Sequence, residues 1–198
     1  MPAPRHDPLR VAFVTGVTPG KWERIWRDRR PRGHLYVTPM TQDAALAALT
    51  DGSAHMALLR DVSADDDRHA IELYREAPVV VAPRGSLVAG LDDVTLAEVT
   101  DLAHQPLDDA DAPPLPLLPV DLHAGTGAEA VELVAANVGV AVMPLSVARA
   151  HSRKDVVARP LREAPDTAIS LVWPVAGAHP LVDEFIGIVR GRTANSSR

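Results

Sequence analysis

Over its first sixty residues the chain alternates short apolar runs with amphipathic stretches, and this constrains its fold more than any other feature. Residues 9–14 (LRVAFV) are apolar and stop at Thr15-Gly16-Val17-Thr18-Pro19-Gly20. They read as a buried strand, a loop, and a helix with Thr18 as its N-cap and Pro19 at its first position. Trp22, Ile25 and Trp26 follow at i, i+3, i+4 spacing, and Arg27, Arg29 and Arg30 close the helix before Pro31 and Gly33, where cations oppose the negative pole of the helix dipole. Residues 35–40 read as a second strand, and 41–51 as a helix with Leu46 and Leu49 inward and Gly52 as its stop. Residues 55–59 (HMALL) are a third strand. Strand and helix alternating at this spacing predict parallel pairing through right-handed crossovers, which is the α/β class.

Further along, an acidic loop at 61–67 precedes a strand pair at 71–74 and 77–82. Residues 61–111 carry half of the 26 acidic side chains while residues 1–33 are basic, an asymmetry that reads as solvated faces. Asp92 or Asp93 is expected to cap a helix bearing Leu96, Val99 and Leu102. Residues 105–119 hold five prolines and cannot form a central strand. Thr126 and Glu129 match a Thr-x-x-Glu capping box ahead of a helix with Val131, Val134 and Ala135, and Asn137 or Gly139 suits its left-handed end. Then come a strand at 140–143 closed by Pro144, a short helix at 147–153, and strands at 156–161 and 168–172. Pro180 opens a last helix with Leu181, Phe185, Ile188 and Val189 inward.

Composition removes whole classes of function. The 198 residues are 46% hydrophobic and 23% charged, a soluble globular balance, and the formal charge of −6 argues against direct contact with nucleic acid. With no cysteine there is no disulfide framework, thiol chemistry or Cys-based zinc site. Residues 1–8 contain no apolar stretch that a signal peptide or membrane helix needs, so a cytoplasmic location without membrane contact is expected, with residues 1–8 and 193–198 disordered. Gly125, Gly127 and Ala130 match the Gly-x-Gly-x-x-Ala nucleotide fingerprint, but after a proline-broken stretch and without the acidic residue that the motif requires about 20 positions on. The histidines are scattered, Asp65-Asp66-Asp67 reads as a solvated loop, and there is no Gly-x-Ser-x-Gly elbow. No catalytic residue, metal site or cofactor is expected.

The pieces along the chain are similar to a known family. LRVAF at 9–13, the Trp22-x-x-Ile25-Trp26 helix, GSAHMAL at 52–58, LYREAPVVVAP at 73–83, DVTLAEV at 93–99, VELVAANVGVAVMP at 131–144 and PLVDEF at 180–185 stand in the order and spacing of the effector-binding domain of LysR-type transcriptional regulators. The resemblance, over about residues 9–192, implies a type II periplasmic-binding-protein fold with two Rossmann-like lobes, 9–76 with 162–192 and 77–161. They would be joined by crossing strands near 77–84 and 155–161, with ligand bound between them. Three departures accompany it. No helix-turn-helix or linker helix precedes Leu9, Asn137-Val138-Gly139 replaces the usual Gly-x-Gly, and a Pro/Asp-rich stretch replaces the strand after Pro106.

Three helix starts carry hydroxyls, glycines or open N–H groups suited to an anion, and the resemblance places the first two on one lobe and the third on the other. The expected ligand contacts are Thr15, Gly16, Thr18, Thr41, Gln42, Gly125, Thr126 and Gly127. Arg60 is either a bidentate partner for a carboxylate or a surface arginine paired with Asp61 or Asp65, and Trp22 and Trp26 are core or dimer-face residues. The whole implies a cytoplasmic, homodimeric sensor of a small anionic metabolite, acting in transcription regulation without its own DNA-binding domain, DNA binding being either absent or supplied by a separate protein. A regulatory subunit that has lost its ligand is the alternative.

Overall fold

Each apolar run becomes a strand, and each amphipathic stretch the helix packed on it. The computed structural model describes residues 7–102 and 117–191; the expectations for residues 1–6, 103–116 and 192–198 lie outside the described residues. The chain forms two units, one made of the residues up to Leu73 with those from Ser170 onward, the other of Tyr74–Ile169.

Unit one is built on a five-stranded sheet. Its strands are β1 (Leu9–Phe13), β2 (Leu35–Pro39), β3 (Met56–Arg60), β4 (Arg68–Glu76) and β10 (Thr167–Pro174), in the order β2-β1-β3-β10-β4. β1 pairs in parallel with β2, Leu9 opposite Leu35, and with β3, Val11 opposite Met56. All five residues of β3 are buried, which explains why that run is continuously apolar up to Arg60 rather than alternating. Helices α1 (Gly20–Arg29), α2 (Gln42–Asp51) and α6 (Val182–Val189) complete the unit. Trp26 is buried, its ring 6.0 Å from that of Phe185 on α6 and its indole N–H donating to the Gly33 carbonyl at 3.2 Å. Trp26 is therefore a core residue, while Trp22 is half-buried. Arg30 lies over the Trp26 ring and pairs with Glu184 at 2.7 Å, tying α1 to α6.

The two helix starts of this unit differ. Thr41 caps α2, its Oγ1 accepting the Ala44 N–H at 3.3 Å, and Gly52 ends the helix at φ +76°, the stop expected. At α1 the boundary residue is Pro19, already helical at φ −74°, and Thr18 makes no capping bond among the described residues. Proline's missing N–H removes one of the donors a cap would have satisfied.

Unit two carries β5 (Pro78–Pro83), β6 (Val94–Thr95), β7 (Leu117–Leu118), β8 (Val140–Pro144) and β9 (Val156–Arg162) in the order β6-β9-β5-β8-β7. The central β5 runs antiparallel to both neighbours, with Pro78 opposite Pro144 and Pro83 opposite Val156, whereas β6 and β7 pair in parallel with β9 and β8. The sheet is thus mixed, unlike the parallel pairing of β1 with its neighbours. Both of its faces are covered. Val79 and Val81 pack with Val131, Val134, Met143 and Val147, and Val80 and Ala82 with Val88, Val94, Val99 and Leu161. Helices α3 (Leu96–Leu102), α4 (Gly127–Ala135) and α5 (Leu145–Ala150) and a 3₁₀ turn at Leu87–Gly90 flank the sheet, and Asn137 is left-handed at φ +58° after α4.

The start of α3 corrects the sequence reading. Its cap is Thr95 rather than Asp92 or Asp93: Thr95 Oγ1 accepts the Glu98 N–H at 3.2 Å, and a Glu98 carboxylate oxygen accepts the Thr95 N–H at 2.7 Å and its hydroxyl at 2.9 Å. This is a reciprocal capping box, and the Thr95 N–H and then its hydroxyl hold the Glu98 carboxyl below the usual range. Asp93 instead pairs with Arg162 at 2.7 Å. β5 and β9 hydrogen-bond along their length within one sheet, so both belong to unit two. The chain passes between units within β4 and returns within β10.

Candidate functional site

In unit one the loop after β1, the end of β3 and the start of α2 converge on Arg60. Its side chain is not the surface arginine of the alternative reading: the residue is only 4% exposed, and its Nη2 donates to the Thr15 carbonyl at 2.6 Å. Of the two partners that reading offered, Asp61 and Asp65, Asp65 binds Arg68 at 2.6 Å, and this bond to the guanidinium is the main reason its carboxyl sits below the ordinary value. Gln42, 3% exposed, holds Arg60 from the other side. Its Oε1 accepts the Arg60 N–H and its Nε2 donates to the Arg60 carbonyl, both at 2.9 Å, so the amide extends the sheet's hydrogen bonding from the first residue of α2. Thr15, Gln42 and Arg60 are thereby one connected group, with Thr41 adjacent as the helix cap. Thr15 and Thr18 are exposed, and Gly16 is left-handed at φ +92°, a conformation that glycine adopts without steric cost.

In unit two the residues at 125–127 belong to a turn organised by Asp121, which sequence reasoning missed. The Asp121 carbonyl accepts the N–H groups of Gly125 (2.9 Å) and Thr126 (3.0 Å), and its Oδ1 accepts those of His123 (2.9 Å) and Ala124 (3.2 Å). Thr126 Oγ1 accepts the Asp121 N–H at 2.8 Å. The expected Thr126/Glu129 capping box does not form: Thr126 sits at φ −76°, ψ 7°, with no side-chain bond to the helix. A cap residue needs extended backbone to turn its oxygen onto the first helical N–H groups; here the hydroxyl closes the preceding turn instead. The missed signal was Asp121 itself, whose side chain accepts the N–H two residues on in an Asx turn.

The two glycines have separate physical reasons. Gly125 is left-handed at φ +83°. Gly127 is buried, and a Cβ there would stand 2.7 Å from Val147 Cγ1, so the fingerprint-like spacing arises from a turn and a close helix approach within this unit. Among the described residues no group of three or more His, Asp or Glu side chains is placed to hold a metal ion, and no helix is long and apolar enough to cross a membrane.

The model of the LysR substrate binding domain matches residues 4–194. Similar solved structures include a mutant OxyR regulatory domain from Pseudomonas aeruginosa, at 18% identity and TM-score 0.68 over 93% of this chain and 96% of that one. The BenM effector binding domain with its effector benzoate matches at 16% identity and TM-score 0.69, over 93% and 90%. Full-length CbnR complexed with its target DNA matches at 18% identity and TM-score 0.67, over 93% of this chain and 70% of that one. The likeness shows the type II periplasmic-binding-protein fold. No curated protein sequence matches the chain.

Proposed function

The chain belongs to the LysR substrate binding domain family, a family of effector-binding domains of transcription regulators, and from that premise we propose that it binds a small carboxylate in the cytoplasm as a homodimer. The observation that carries it is the buried Arg60 guanidinium, fixed by the Thr15 carbonyl and set beside the capped start of α2. A cation tethered by a main-chain carbonyl has given up part of its rotamer freedom before an anion arrives, which makes charge-assisted pairing with a carboxylate more favourable. Thr15, Gly16, Thr18, Thr41 and Gln42 in unit one, and Gly125, Thr126 and Gly127 in unit two, are the proposed contacts. Binding alters a regulatory output only through its preference for one conformation of the domain.

The test is thermal unfolding of the 198-residue protein against a panel of small aliphatic and aromatic carboxylates, beside a Thr41→Ala, Thr126→Ala double variant whose own unliganded transition is recorded. A ligand at about a hundredfold excess over its Kd adds about 2.7 kcal/mol. A shift present in the wild type and lost in a folded double variant supports the proposal. Absence of any shift across the panel, together with capture of a DNA-binding partner by the unliganded protein, moves the function to a regulatory subunit acting by contact alone.

A further inference from the structure

At the other end of β3, away from Arg60, unit one holds a second cluster of chemistry-bearing side chains. His55, immediately before β3, has both ring nitrogens against one residue: Nδ1 is 3.2 Å from the Arg10 N–H nitrogen and Nε2 is 2.8 Å from Arg10 Nη2. The ring stacks on His179 with centroids 4.2 Å apart and planes 26° from parallel. Arg10 on β1 also donates through Nε to the Ser53 carbonyl at 2.8 Å and through Nη2 to the Gly52 carbonyl at 3.2 Å, where α2 ends. His179 Nδ1 in turn accepts the Leu181 N–H at 3.2 Å, at the entry to α6. This one seam therefore joins β1, the end of α2, the start of β3 and the approach to α6.

We infer that this seam is an acid-released latch: a proton taken up by His55 leaves both ring nitrogens as N–H donors facing donors of Arg10 and sets two cations side by side, which parts the ring from Arg10 and frees the end of α2 and the entry to α6. A neutral imidazole accepts at one nitrogen, a protonated one at neither, and every group on the ring's polar edge is a donor of Arg10. The charges facing it are Arg10 from β1, His179 from the segment before α6, and Asp7 from the segment before β1; Asp51 at the end of α2 is turned to the Ser53 N–H at 2.8 Å. Burial, then Arg10, then His179 push His55 from 6.5 down to about 4, with Asp7 opposing. The sign follows from linkage. Between these values the unfolded chain carries the proton and the folded one does not, so stability is complete above about pH 6.5 and falls as the pH is lowered toward about 4.

The experiment is a histidine-ring and amide NMR titration of the 198-residue protein from about pH 7.5 to about pH 4, with His55→Asn and His179→Asn alongside. The expected result is a His55 midpoint far below its ordinary value, with the amides of Arg10, Ser53 and Leu181 moving at that same midpoint and becoming silent in H55N. Over this range wild type loses roughly ten- to a hundredfold more in its folding equilibrium constant than H55N, the lower figure allowing for solvent screening of a partly exposed ring. A His55 midpoint at the ordinary histidine value, or unchanged amide titrations in H55N, overturns the latch. If H55N does not fold, the wild-type titration decides alone, since the ring and the three amides must then share one midpoint.

Discussion

Replacing Gly127 by alanine places a methyl group 2.7 Å from Val147 Cγ1, about 1 Å inside ordinary carbon–carbon contact. Gly127 is in the first turn of α4 and Val147 in α5, both buried in the core that also holds Val131 and Val134. Overpacking of this kind costs about 1–3 kcal/mol, while alanine in place of glycine in a helix returns up to about 1 kcal/mol. The net expectation is a loss of about 1–2 kcal/mol, read as a lower urea midpoint at unchanged slope. Val147→Ala also destabilises alone, by leaving a cavity, but in the double variant the alanine methyl enters that space. The two losses then combine to less than their sum, with a coupling of about 1 kcal/mol. Gly20→Ala, at a helix position with open space around it, is the control and is neutral or slightly stabilising. A Gly127→Ala protein as stable as wild type, or strict additivity with Val147→Ala, refutes the packing account of this glycine.

Three further substitutions probe the helix starts. Gln42→Leu leaves the buried N–H and carbonyl of Arg60 without the amide that pairs them, and a loss of about 2–4 kcal/mol is expected in chemical denaturation. Thr95→Ala costs about 1 kcal/mol, whereas Glu129→Ala, at the motif that does not close, costs less than about 0.5 kcal/mol by the same assay.

The comparison of those two motifs shows where sequence reasoning reaches its limit. Thr95-x-x-Glu98 and Thr126-x-x-Glu129 are the same pattern, yet only the first caps a helix. What separates them is the backbone angle before the helix, and that angle is imposed on Thr126 by Asp121, a residue outside the motif. The strands were legible because burial on both faces leaves continuous apolar runs, as at β3 and β5. Strand direction was not, since a run such as PVVVAP reads the same whether its neighbours are parallel or antiparallel, and β5 is antiparallel to both. For the candidate site, the hydroxyl-bearing helix starts could be found by their residue types. The burial of Arg60 could not, because it depends on Gln42 and Thr15 being brought to it by the sheet order β2-β1-β3. The His55–His179 stack joins residues far apart in the chain and leaves no local signal at all.

Unit two is one uninterrupted stretch, Tyr74–Ile169, set inside a unit one whose two parts flank it in the chain. During synthesis every contact of unit two is available once residue 169 has emerged, while unit one still lacks β10, which sits between β3 and β4 in its sheet, and α6, whose Phe185 covers Trp26. The edge of β3 thus stays uncovered until β10 is made, and the Trp26 face until α6 is made. Domains tend to form as units while the chain emerges, so this order makes the unit that contains Arg60 the later of the two to close, its sheet waiting on β10.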